Sequence, residues 1–186
     1  MDNVKILAVV GMSGSGKSVV IDQLTGKGYP KIYFGGMILK EMEKRGIEIN
    51  PENEKAFREQ IRAEEGNDWV VRQVIAEAKD LISAGQKRIV LDGVYSWTEY
   101  KILKHEFPGC LSFLAVVVNK AIRHKRVGMR VVRPLNTQEI QMRDTAEIEN
   151  IEKGGPIAAA DYYVMNNGTT EELAAQVDAV LAEIEF

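Results

Sequence analysis

Cysteine is almost missing from this sequence of 186 residues: Cys110 stands alone, so no internal disulfide can form and a disulfide-stapled secreted fold is excluded. Its simplest role is that of a small apolar residue in a strand. Histidine is equally scarce, and His105 and His124 lack the paired spacing of a zinc site. No apolar run approaches the ~20 residues of a membrane-spanning helix. The first apolar run, flanked by Asp2 and Lys5, is too short and too polar for a secretory leader, so the sequence predicts a soluble, cytoplasmic protein without a membrane partner. Positive charge is not in excess either. The net charge of −3 supplies no global field toward nucleic acid or anionic lipid. Locally the balance reverses: residues 107–138 hold no Asp or Glu but carry Lys120, Arg123, Lys125, Arg126, Arg130 and Arg133.

At 45% hydrophobic and 27% charged residues, the chain can bury a full core and reads as one domain over 1–186. Five short runs rich in β-branched and aromatic residues read as buried strands: VKILAVV (4–10), KIYF (31–34), RIVLDG (88–93), LSFLAVVV (111–118) and DYYVMN (161–166). Helical stretches separate them. Asn50-Pro51 is an N-cap followed by proline at the first helical position. Ser96 with Glu99, and Thr169 with Glu172, fit the capping box. The alternation predicts an α/β fold of three α/β/α layers around a five-stranded, mostly parallel sheet. Residues 128–136 and Gly154-Gly155-Pro156 read as irregular breaks. Along the last helix Leu173, Val177, Val180, Leu181 and Ile184 form a core-facing stripe.

Between the first strand and first helix lies GMSGSGKS (11–18), matching G-x-x-x-x-G-K-[ST]. The pattern assigns Gly11, Met12, Ser13, Gly14, Ser15, Gly16, Lys17, Ser18 and Val19 to binding of ATP. Backbone N–H groups and the helix N-terminus would cradle phosphates, Lys17 would reach the outer ones, and Ser18 would ligate Mg²⁺. A second metal contact is expected from Asp92, at the end of the third strand. Asp92-Gly93 also fits a hairpin turn, although the capping box behind it favours a strand-to-helix turn. Arg123, Arg126 and Arg130, spaced three and four apart, would share a helix face and supply cations for phosphoryl transfer; a solvated helix face and an RNA-contacting patch are the alternatives.

With those residues in view, the chain resembles the nucleoside-monophosphate-kinase branch of P-loop proteins, which includes adenylate kinases and dephospho-coenzyme A kinases. It most resembles an archaeal-type, kinase-like group of that branch. GGMILKE (35–41) is similar to the start of the acceptor-binding helix, and RAEEGNDWVVRQV (62–74) to the helices that close over the acceptor. RHKRVGMR (123–130) and RPLNTQEIQMRD (133–144) resemble a lid, and ADYYVMNNGTTEEL (160–173) resembles the last strand and the loop beside the donor base. The resemblance implies a helical insertion over about 35–84 and a lid over about 127–143. It further implies that Arg126, Arg130 and Arg143 act with Lys17 and Asp92 on the transferring phosphoryl group.

The sequence departs from the Gly-Asp-x-x-Arg pattern of adenylate kinases. Gly35-Gly36-Met37-Ile38-Leu39 has neither the acid nor the arginine, and Gly36 also replaces the aspartate of dephospho-coenzyme A kinases. Lys40, Arg58, Arg62 and Arg72 are the remaining candidates to grip an acceptor phosphate. The expected activity is ATP- and Mg²⁺-dependent phosphoryl transfer to a small nucleotide-like acceptor. Dephospho-coenzyme A kinase and a nucleotide-driven switch or ATPase are the alternatives.

Overall fold

A computed structural model describes residues 3–132 and 134–186; Arg133, among the expected cations, lies outside the described residues. The chain runs β1 (Lys5–Val10), α1 (Lys17–Gly26), β2 (Lys31–Tyr33), α2 (Phe34–Lys44), α3 (Pro51–Glu65), α4 (Trp69–Ser83), β3 (Arg88–Asp92) and α5 (Trp97–Glu106). It continues with β4 (Leu111–Val117), α6 (Lys120–Gly128), α7 (Thr137–Glu149), α8 (Gly154–Ala158), β5 (Tyr162–Met165) and α9 (Thr170–Glu183). All five expected strands form. They order as β2-β3-β1-β4-β5, and every pairing is parallel.

Because β1 is central and both sheet faces are covered, its sequence from Ile6 to Val10 is continuously apolar and does not alternate with polar residues. Ile6, Ala8 and Val10 face a core shared with α2 to α5, including Met42, Phe57, Val74 and Leu103. Leu7 and Val9 face the opposite core, where Val20, Ile21 and Leu24 of α1 meet Leu173, Val177 and Leu181 of α9. The result is a three-layer α/β/α fold. Asp92-Gly93 belongs to a strand-to-helix turn, with Gly93 at φ +101° before the Ser96–Glu99 capping box that opens α5. Asn50 caps α3 by accepting from Asn53 N–H, and Thr169 with Glu172 caps α9.

Two local features differ from the sequence expectation. Asn136 and Glu139 also form a capping box, which starts α7 immediately after the irregular connection. Gly154-Gly155-Pro156 does not break the chain but forms α8, a short turn of helix packed on Trp97. A Cβ on Gly155 would lie 2.8 Å from the indole, so glycine permits this approach.

Phe113 is fully buried in β4 with its ring 4.5 Å from that of Tyr100. Phe113→Ala is expected to cost about 3–5 kcal/mol in urea-induced unfolding. A loss under about 1 kcal/mol would contradict this packing of α5 on the sheet.

Candidate active site

The parallel sheet sends β1 and β3 to the same carboxyl edge, where open α/β folds place their ligands. Gly16 caps α1 in the left-handed region at φ +95°, and Gly14 lies at φ +84°. Both also lack room for a side chain. A Cβ on Gly16 would come within 2.0 Å of Asn166 Nδ2, and one on Gly14 within 2.6 Å of Val127 Cγ2. Asn166, buried at the exit of β5, donates its side-chain N–H to Ser15 O at 2.8 Å and so braces the loop. Ser15 is itself buried, and its hydroxyl has no hydrogen-bond partner among the described residues. The backbone therefore forms a glycine-walled concavity at a helix N-terminus, fitted to phosphate oxygens.

Lys17 extends from this loop and forms an ion pair with Asp92 Oδ1 at the end of β3. Ser18 and Val19, in the first turn of α1, remain exposed. On the other flank, Gly16, Val19, Arg126, Asn166, Gly168 and Thr170 line a cleft of about 170 Å³. Arg126 is held there by hydrogen bonds from Nη1 to Asn166 O at 2.9 Å and from Nη2 to Asn166 Oδ1 at 3.4 Å. A larger, mostly apolar hollow of about 490 Å³ lies away from the loop, between Trp97, Ile148 and Gly155.

The expected shared face of Arg123, Arg126 and Arg130 does not form. Arg130 lies beyond the end of α6, and Arg123 turns inward. Arg123 donates to Ser13 O at 3.1 Å and to both carboxylate oxygens of Asp144 at 2.5 Å. Asp144 also contacts His124 Nε2 at 2.7 Å. The Arg123 hydrogen bonds hold the Asp144 carboxyl below its ordinary range, against the effect of its partial burial. Arg130 reaches Ser13 Oγ at 3.4 Å, and Arg143 Nε reaches Glu147 Oε1 at 3.4 Å.

Glu147 and Lys153 were not legible as site residues. Both are buried, and they pair at 3.1 Å. Burial pushes the Lys153 ammonium down from its ordinary range; Glu147 counters that shift, whereas the charges of Lys17 and Arg143 add to it. Arg143 stands one helical turn before Glu147, a spacing visible in the sequence, but nothing local marks Lys153. Beyond Asp92, burial pushes the Tyr95 phenol up, with Tyr33 and Asp92 contributing. Burial likewise raises Glu99, although it accepts the N–H groups of Tyr95 and Ser96 and feels the charge of Arg62.

Of the cations expected to grip an acceptor, Lys40 is paired with Glu77 at 2.6 Å, Arg58 with Glu54 at 3.8 Å and Arg72 with Asp68 at 3.3 Å. Arg62 has no such partner among the described residues and lies near Glu99. Gly36, at the position of the usual acid, and its neighbour Gly35 both lie against Tyr33. A Cβ on Gly35 would lie 2.5 Å from Tyr33 Oη, and one on Gly36 would lie 3.3 Å from the same ring.

No family model matches the sequence. A UPF0200 protein of Thermococcus kodakarensis is 32% identical over 182 residues, covering 96% of this chain and 97% of that protein. One from Methanosarcina barkeri is 33% identical over 180 residues, covering 96% and 95%. The chain belongs to the UPF0200 family. Among solved structures, the protein TT1252 from Thermus thermophilus superposes at TM-score 0.66 and 22% identity, covering 97% of this chain and 98% of that one. Shikimate kinase from Aquifex aeolicus gives TM-score 0.56 at 16% identity, covering 97% and 96%. A gluconokinase from Sinorhizobium meliloti gives 0.54 at 16%, covering 97% and 93%. These likenesses show that the UPF0200 chain shares the three-layer α/β/α fold of those kinases, with its five-stranded parallel sheet, and do not single out the nucleoside-monophosphate-kinase branch.

Gly16→Ala is expected to weaken MgATP binding at least about tenfold by calorimetry, because it forces a side chain into both a left-handed backbone and Asn166. Gly26→Ala, with open space around its Cβ, serves as the control and should bind normally. Asp144 has a lowered folded-state pKa, so its contribution to stability is present above about pH 4 and is lost as pH falls through the folded value. Asp144→Asn is expected to remove that part of the acid dependence in unfolding titrations. An unchanged slope would contradict the Arg123–Asp144 pairing.

Proposed function

We propose that this UPF0200 protein transfers the γ-phosphoryl group of MgATP to a small, nucleotide-like acceptor. The observation that carries the reading is Lys17, presented by the phosphate-binding loop, meeting Asp92 at the carboxyl edge of the sheet beside Arg130, Arg143 and Lys153. Among the described residues no group of three or more His, Cys, Asp or Glu could hold a metal alone. Mg²⁺ would therefore take Ser18 and Asp92 together with phosphate and water oxygens, and its contribution would be to offset charge on those oxygens. Lys17 exchanges Asp92 for phosphate when nucleotide binds. Arg126, at the cleft beside Asn166, together with Arg130 and Arg143 offsets charge on the transferring group. Closure of the 127–143 lid excludes water, which would otherwise compete as acceptor. Arg62 is the acceptor-side cation, since Lys40, Arg58 and Arg72 are engaged with acids.

That same engagement favours a second reading, an ATPase or nucleotide-driven switch without a small acceptor. Dephospho-coenzyme A, as a hydroxyl acceptor, would require a base, and Asp92 is the carboxylate at hand. Incubation with MgATP and nucleoside monophosphates, dephospho-coenzyme A, shikimate or gluconate separates these readings. Acceptor-dependent formation of ADP and phosphorylated product is expected, and Lys17→Met is expected to slow it about 10²–10³-fold. Phosphate release indifferent to every acceptor would establish the ATPase. Undiminished transfer by Lys17→Met would sink the kinase reading.

A further inference from the structure

Glu147 presents a carboxylate where charge is costly: the residue is 5% exposed, near the end of α7. Its surroundings explain how it is tolerated. Oε2 accepts the Ser13 N–H of the phosphate-binding loop at 3.0 Å. Oε1 lies 3.1 Å from Lys153 Nζ and 3.4 Å from Arg143 Nε. Arg130 adds a contact to Ser13 Oγ, and Lys17 is near enough for its charge to bear on Lys153. A loop amide, an ammonium and a guanidinium, next to the P-loop lysine, form the donor set that suits a terminal phosphoryl group.

We propose that Glu147 occupies the terminal-phosphoryl subsite of the nucleotide-free protein and vacates it for a nucleoside triphosphate but not for a diphosphate, making it a determinant of ATP-versus-ADP discrimination. The proposal rests on nucleotide binding at residues 11–18 and names an internal competitor for that site. A carboxylate and a phosphate dianion cannot share one set of donors, because like charges at contact repel strongly. The dianion makes the better occupant, with more oxygens and more charge to offer the same cations. Without nucleotide, Glu147 keeps Lys153 and Arg143 neutralised, which is what allows Lys153 to remain buried. The backbone of the α7–α8 turn is tied separately by Lys153 N–H donating to Glu147 O at 3.0 Å, so the side chain can leave without unravelling the turn.

Glu147→Gln removes the charge while keeping the shape and an acceptor for Ser13 N–H. Calorimetry with Mg²⁺ and either ADP or β,γ-imido-ATP is expected to show the ratio Kd(ADP)/Kd(imido-ATP) about tenfold higher in the variant than in the parent, with ADP affinity within about twofold. A ratio that does not change, or two affinities that weaken together, would overturn the proposal and leave nucleotide binding intact. Binding of neither nucleotide by the parent protein would overturn both this proposal and the kinase reading. Hydrogen exchange on the unmodified protein gives an independent check that does not depend on the variant folding. The Ser13 amide and residues 144–149 are expected to change protection with imido-ATP and not with ADP; identical profiles with the two nucleotides would refute the displacement.

Discussion

Lys17 and Asp92 lie 75 positions apart in the chain, and their ion pair exists only because β1 and β3 run side by side and in parallel. Val9 pairs with Asp92 itself, so the glycine-rich loop leaves the sheet at the level where the acid ends its strand. Sheet register thus sets the geometry of the site. A hairpin at Asp92-Gly93 would have sent the next strand back antiparallel. The parallel arrangement instead forces a helical crossover on each side, and the crossovers bury β1 on both faces.

Around that pair the protein assembles positive charge from separate elements: Lys17 from α1, Arg130 from the connection after α6, Arg143 from α7 and Lys153 from the turn before α8. Such a cluster is costly without anions. Asp92 pairs with Lys17, Glu147 with Lys153 and Arg143, and Asp144 does the same for Arg123 behind the loop. Two kinds of arginine therefore coexist in one basic segment. Arg123 is buried and structural, bracing Ser13 O, whereas Arg126 and Arg130 border open space near the loop. Charge counts along the sequence cannot separate these roles, because exposure depends on what packs against α6.

The region around Gly35 and Gly36 follows a similar logic. Tyr33 lies against Gly35 and Gly36, so an aromatic ring occupies the space beside the position of the missing acid. Three of the four candidate cations are tied to acids. Two of these pairs, Arg58–Glu54 and Arg72–Asp68, are four apart on a helix, a spacing that could have shown them, while Lys40–Glu77 joins two helices.

What the sequence determined alone is whatever depends on neighbours within a few residues. Five strands, the caps at Asn50, Ser96 and Thr169, and the glycine-rich loop were readable because periodicity, capping and backbone freedom are local properties. The Asn136 cap was equally local, although an asparagine with a glutamate three residues later is a less familiar form of the same device. Only the tertiary structure brought Asn166 under Ser15, Glu147 onto Ser13 N–H and Lys153 beside Lys17. Ser13 and Glu147 are 134 positions apart, and Ser15 and Asn166 are 151 apart. Contacts of that range arise from packing of the whole sheet and its helices, and no spacing along the chain encodes them.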